Sequence, residues 1–115
     1  MDYENITELD LSNKGLNELT DLSKYTNLKK LKCNNNIVAL DNLPPELQIL
    51  DCDTNNIVAL DNLPPGLQTL YCSNNKIVDL NNLPPGLQIL FCIYNPFIYN
   101  FEPTLENIRN HNSRI

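Results

Sequence analysis

Three consecutive segments of this chain are near copies of one another, and that self-similarity restricts the fold more than any other feature. Beginning at Leu47, Leu67 and Leu87 they read LQILDCDTNNIVALDNLPPG, LQTLYCSNNKIVDLNNLPPG and LQILFCIYNPFIYNFEPT. The interval is 20 residues between these leucines and 19 from Leu28 to Leu47, where one residue is missing between Cys33 and Ile37. From Ile6 to Leu28 it is 22, a looser first copy. In one register the unit is L-x-x-L-x-C-x-x-N-x-I-x-x-L-x-x-L-P-P-x. A unit this short cannot enclose a core alone and buries its apolar face only against the next copy. The expected outcome is a single coiled domain over residues 1–115, with a cap and degenerate copy at 1–27, core repeats at 28–95, and a second cap and tail at 96–115.

Each position of the unit has a physical reading. Leu50 and Cys52 lie two apart on a short strand and point inward with Leu47, while Ile57, Leu60 and Leu63 return along the other side. Successive strands then lie side by side at about 4.8 Å as a parallel sheet. The pairs Pro44-Pro45, Pro64-Pro65 and Pro84-Pro85 exclude a helix interior and favour extended geometry on the convex side. Gly66 and Gly86 are expected to ease the turn into the next strand. Asp41-Asn42, Asp61-Asn62 and Asn81-Asn82 are expected to bond nearby backbone. Asn35, Asn55, Asn75 and Asn95 form a column able to accept from one coil and donate to another, a structural role set against a polar ligand site. At the C-terminal end Phe97, Ile98, Phe101, Leu105 and Ile108 supply an apolar lid. A short capping helix starts near Thr104, and the tail from Asn110 to Ile115 is expected to fray.

Chemistry is sparse. The 14 acidic residues against 8 basic ones leave a formal charge of −6, unfavourable for nucleic acid or anionic membrane surfaces. No signal-like or membrane-spanning run is visible, so a cytoplasmic setting is expected. Cys33, Cys52, Cys72 and Cys92 recur at one repeat position, 19, 20 and 20 residues apart, without the close pairs of a zinc site. The readings are an inert buried thiol column, disulfides between neighbours, or a metal or catalytic role. Asp51-Cys52-Asp53 resembles a flanked nucleophile, but an inward thiol beside carboxylates is a poor one. The single histidine, His111, lies in the tail, so no triad can be assembled. The three glycines at 15, 66 and 86 form no phosphate loop. No enzyme, metal or cofactor is expected.

The outward strand positions carry the functional reading. One column is Lys30, Ile49, Thr69 and Ile89; the next is Lys32, Asp51, Tyr71 and Phe91. A third is Asn34, Asp53, Ser73 and Ile93, with Tyr94 beside it. The concave face thus grades from basic through acidic to apolar and aromatic. Lys32 and Asp51 are expected to neighbour each other as a surface pair of little energy. Exposed Ile89, Phe91, Ile93 and Tyr94 point to a protein partner, the alternative being that Phe97 or Tyr99 folds back over them. The expected binding set is Lys30, Lys32, Ile49, Asp51, Thr69, Tyr71, Ile89, Phe91, Ile93 and Tyr94.

The unit L-P-P-x-L-Q-x-L-x-C-x-x-N-x-I resembles the leucine-rich repeat, in the 20-residue form of bacterial effectors of the YopM and IpaH type. With its ending N-P-F-x-Y-N-F-E-P-T-L-E-N-I-R it is also similar to leucine-rich repeat proteins of giant, mimivirus-type viruses. The resemblance implies an α/β solenoid, a short right-handed horseshoe with a parallel concave sheet, an extended convex side and a C-terminal capping helix. It also implies a non-catalytic protein-interaction module reading an unidentified protein partner through the concave face, in a cytoplasm that is that of an infected host. The alternative is a structural or weakly self-associating unit. The large catalytic domain of IpaH-type ligases has no counterpart within these 115 residues.

Overall fold

The structure, a computed structural model, describes residues 2–19 and 21–114. Five three-residue strands form one sheet in chain order: β1 (Glu8–Asp10), β2 (Lys30–Lys32), β3 (Ile49–Asp51), β4 (Thr69–Tyr71) and β5 (Ile89–Phe91), each parallel to the next. The central leucines align as Leu9, Leu31, Leu50, Leu70 and Leu90. The shortened second copy and the lengthened first one therefore change the loops and leave the strand register intact. A parallel pair needs a crossover, and each coil supplies it as extended chain. The helix α1 (Leu105–Asn112) follows β5, and a 3-10 turn at Tyr3–Asn5 precedes β1. The molecule measures 47 × 28 × 18 Å.

Burial follows the repeat. Leu28, Leu31, Ile37, Leu47, Leu50, Ile57, Leu67, Leu70 and Ile77 are all at 0% exposure, while Leu43, Leu63 and Leu83 pack from the convex side and stay partly exposed. The prolines set the turn into each strand. Leu47, Leu67 and Leu87 N–H donate to Pro44, Pro64 and Pro84 C=O at 3.3, 3.1 and 3.1 Å, with the second proline at the position whose φ a β-turn prefers. Glycine is not required there. Neither Gly66 nor Gly86 has positive φ, a Cβ on either meets nothing within 4 Å, and Glu46 occupies the same place one coil earlier. The side chains of Asp41-Asn42, Asp61-Asn62 and Asn81-Asn82 make no hydrogen bond among the described residues, contrary to expectation, because they point to solvent.

The left-handed bend falls elsewhere. Asn13, Thr54, Asn74 and Tyr94, each two residues past its strand's last inward position, have φ of 57, 57, 57 and 58°. The 19-residue copy lacks this residue between Cys33 and Asn35. Asparagine tolerates this region, whereas a β-branched side chain is strained in it. Thr54→Asn is therefore expected to raise stability by about 1 kcal/mol, read from the urea midpoint at unchanged slope.

Thr104 caps α1 as expected, its Oγ1 accepting from Asn107 N–H at 3.1 Å. Ile108 is fully buried and closes the core. Two expectations are corrected. The helix continues to Asn112 instead of fraying at Asn110, because Asn112 Nδ2 donates to Leu80 C=O at 2.9 Å and Arg109 to Pro84 and Pro85 C=O at 3.1 and 3.2 Å. Ile98 does not join the lid and stands 73% exposed. Ile115 lies outside the described residues.

Candidate protein-binding surface

Side chains alternate across each short strand, so the residues flanking every inward leucine emerge on one face. The register produces two columns running across all five strands. Glu8, Lys30, Ile49, Thr69 and Ile89 form one; Asp10, Lys32, Asp51, Tyr71 and Phe91 form the other. Glu8 and Asp10 were not among the expected binding residues, since the degenerate first copy disguised their alignment with Lys30 and Lys32. Their spacing from Leu9, equal to that of the lysines from Leu31, was the available signal.

At the β5 end the Tyr71 and Phe91 rings stack with centroids 5.2 Å apart and planes within 3°. Ile89, Phe91, Ile93 and Tyr94 are 45, 52, 60 and 75% exposed. The C-terminal aromatics do not cover them. Phe97, Tyr99 and Phe101 stack on each other at 5.4 and 4.7 Å, with His111 5.5 Å from Phe101. Tyr99 is pinned there because its hydroxyl accepts from Leu80 N–H at 2.7 Å. Eight of the expected ten thus stand in the two columns, with Ile93 and Tyr94 exposed just past β5, although Ile49, Asp51, Thr69 and Tyr71 are half-buried.

The charged end differs in detail from expectation. Lys32 and Asp51 are register neighbours, yet they form no ion pair; among the described residues the pair within 4.0 Å is Lys29–Glu46 at 3.8 Å, both ends largely exposed. The Asp51 carboxylate instead accepts from Asp53 N–H at 3.2 Å. Asp10 accepts from Ser12 N–H at 2.9 Å, and this bond with the Ser12 hydroxyl holds its carboxyl below the usual range.

The third column is a correction. Ser73 is buried and Asn34 and Asp53 are half-buried; the Ser73 and Asp53 side chains link coils instead of facing solvent, whereas Asn34 contributes only its backbone N–H and its Oδ1 is buried without a partner among the described residues. Ser12 Oγ accepts from Asn34 N–H at 3.2 Å, Asp53 Oδ1 from Ser73 N–H at 2.7 Å and Ser73 Oγ from Ile93 N–H at 3.1 Å. Burial raises the Asp53 carboxyl above its ordinary value, with Asp51 adding to the shift and the Ser73 bond and Lys32 opposing it. The main asparagine column is also consumed internally. Asn55 Oδ1 accepts from Asn35 and Ile37 N–H at 2.9 and 3.0 Å, and its Nδ2 donates to Cys33 and Cys52 C=O at 3.1 and 2.9 Å. Asn75 and Asn95 are engaged in the same way, while half-exposed Asn35 makes one bond through each amide atom, to Lys14 N–H and Leu11 C=O.

The four cysteines are free thiols buried in the core. Burial pushes Cys33 up to about 12 and Cys92 to about 11, and raises Cys52 and Cys72 in the same direction. No group of three or more metal-ligating side chains occurs among the described residues. Alkylation in the folded protein is expected to be slow at all four positions and to accelerate on unfolding, checked by mass spectrometry with and without urea. One fast-labelled thiol at neutral pH would restore the reactive-cysteine reading. The stability held by protonated thiols is complete below 9.0 and is lost as pH rises toward the folded values of about 11 to 12.

No family model matches the sequence, and no curated protein matches it. Solved structures do, among them YopM from Yersinia enterocolitica WA-314, with a TM-score of 0.60 and 30% sequence identity over 79% of this chain and 25% of that one. The chain spans about a quarter of that protein's length. The parallel sheet of stacked coils, the C-terminal helix and this likeness together give the fold: the chain is a solenoid of the leucine-rich repeat type.

Proposed function

We propose that this chain is a non-catalytic protein-interaction module whose partner lies across the concave face. The observation that carries the reading is the uncovered apolar and aromatic end of that face, continuous with a charged end only two to three strands away. Lys30, Lys32, Ile49, Asp51 and Thr69 orient the partner. Tyr71, Phe91, Ile89, Ile93 and Tyr94 supply most of the binding energy, since large rings with few rotatable bonds lose little entropy on contact. The structural likeness to another leucine-rich repeat protein supports the class of function. Four buried thiols fit a reducing compartment, and we propose that the module acts in a cytoplasm, that of an infected host.

The test compares the natural chain with a Tyr71→Glu, Phe91→Glu double variant in affinity capture from cytosolic lysate, both shown to be folded by circular dichroism. Two carboxylates placed on the aromatic end should weaken capture of a specific partner about 100-fold or more. Equal capture by the folded double variant would overturn the concave-face reading.

A further inference from the structure

Extended chain turns successive side chains to opposite sides, and each coil is extended beyond its column asparagine. Ile37, Ile57 and Ile77 therefore face the core at 0% exposure, while the residues after them, Val38, Val58 and Val78, are 53, 57 and 41% exposed. Ile98 follows 20 residues after Val78 and is 73% exposed. Backbone bonds hold these segments side by side: Asn56 N–H donates to Ile37 C=O at 2.8 Å, Lys76 N–H to Ile57 C=O at 2.9 Å and Ile98 N–H to Val78 C=O at 3.0 Å. The four aliphatic side chains thus form a ridge down one flank of the stack, widened by Ala39 and Ala59. It ends at the first coil, where Asn36 N–H bonded to Leu16 C=O puts polar Asn17 at the ridge position. No residue of the ridge belongs to the concave columns.

One border of the ridge is acidic. Glu18, after Asn17, and Asp79, after Val78, take the place that Ala39 and Ala59 hold in the coils between. Asp41 and Asp61 lie three residues beyond Val38 and Val58, about 10 Å along an extended chain. Among the described residues no basic group lies within 4.0 Å of any of these four carboxylates. On the other border stand Asn36, Asn56, Lys76 and Pro96, of which Lys76 alone is charged. The concave columns, with Glu8, Asp10 and Asp51 against Lys30 and Lys32, carry −1 of the formal charge of −6, so most of the acidity lies outside them. An aliphatic ridge bordered by unpaired carboxylates fits a partner that is apolar along its middle and basic along one edge.

We propose that this flank binds a basic amphipathic α-helix of a protein partner, laid along the stack with its apolar stripe on Val38, Val58, Val78 and Ile98. Spacing selects a helix. Coils repeat every ~4.8 Å and a helix offers one apolar residue per turn of ~5.4 Å, so four successive contacts drift out of step by only about 2 Å. A strand presents same-face residues ~6.7 Å apart and drifts by about 6 Å over the same ridge. One side of the helix, about 10–12 Å across with its side chains, overlies the acidic border, where lysine or arginine pairs with Asp41, Asp61 and Asp79. The contact leaves the concave face free.

The probe is a peptide of about 18 residues built from leucine, lysine and alanine, with one leucine per helical turn. It is titrated to about 1 mM against the isotope-labelled natural chain and followed by amide chemical shifts. Saturable shifts are expected at Val38, Val58, Val78 and Ile98, with Ile89 and Phe91 unmoved. A peptide of the same composition with leucine and lysine alternating, and a helical one with glutamate for lysine, should each bind about tenfold more weakly or worse. The exposed double substitutions Val58→Ser with Val78→Ser, and Asp41→Asn with Asp61→Asn, should each weaken the helical peptide about tenfold. Absence of saturable shifts overturns the proposal, as do shifts centred on the concave columns. So does equal binding of the acidic peptide, tighter binding of the alternating one, or undiminished affinity in either folded double variant. Should a variant fail to fold by circular dichroism, the shift map and the three peptides decide alone.

Discussion

Asn75→Leu is expected to lower the unfolding free energy by about 4 kcal/mol or more, although the two side chains have nearly the same volume. Asn75 Oδ1 accepts from Ile57 N–H at 3.1 Å, and Nδ2 donates to Cys52, Cys72 and Ser73 C=O at 3.0, 3.2 and 3.1 Å. The residue is 4% exposed, so water cannot replace these bonds. Leucine leaves one N–H and up to three carbonyls without that partner, and each orphaned buried group costs about 1–3 kcal/mol. That is a large share of the roughly 5–15 kcal/mol holding a domain this size. Urea unfolding followed by circular dichroism measures it. The control is Asn35→Ala at the half-exposed start of the same column, where one N–H from Lys14 and one carbonyl of Leu11 are served; about 1 kcal/mol is expected. Equal, small effects at both positions would mean that the column does not hold the coils together.

Ile108→Ala should cost about 3 kcal/mol, and the damage should be local. Ile108 is the one residue of α1 at 0% exposure, and it closes the last coil. Truncating such a side chain loses its transfer energy and leaves a cavity. In a stack of coils each unit is stabilised by its neighbours alone, so loss of a cap propagates inward from that end. Amide exchange should therefore accelerate at Leu87 and Ile89, bonded to Pro84 and Gln68 C=O, before Ile49 and Cys52. Uniform acceleration along the chain would show that the coils open as one unit instead.

The fold was legible because its cause is periodic. Leu50, Leu70 and Cys52 recur at fixed intervals, and a side chain that must face the core in one coil must do so in all. The asparagine column and the Thr104 cap were readable for the same reason, each being a local chemical requirement repeated or standing at an element boundary, whereas the proline pairs, read as extended chain, also form the turn into each strand. Reading failed where the outcome depended on an adjacent coil. Asp53 and Ser73 occupy outward strand-end positions by alternation, yet neighbouring backbone N–H groups draw them into a second ladder. Gly66 and Gly86 resembled turn glycines, but the bend needing positive φ sits at Thr54, Asn74 and Tyr94.

The repeat by itself determined the coil, its parallel sheet, its core and the two columns of outward residues, because period and polarity fix which side chains are buried. Only the tertiary structure decided that the aromatic end stays open. That outcome rests on Tyr99 bonding Leu80 N–H and on Asn112 and Arg109 anchoring α1 to the last coil. These contacts join residues 19 to 32 positions apart that share no repeat position, and no pattern along the chain encodes them.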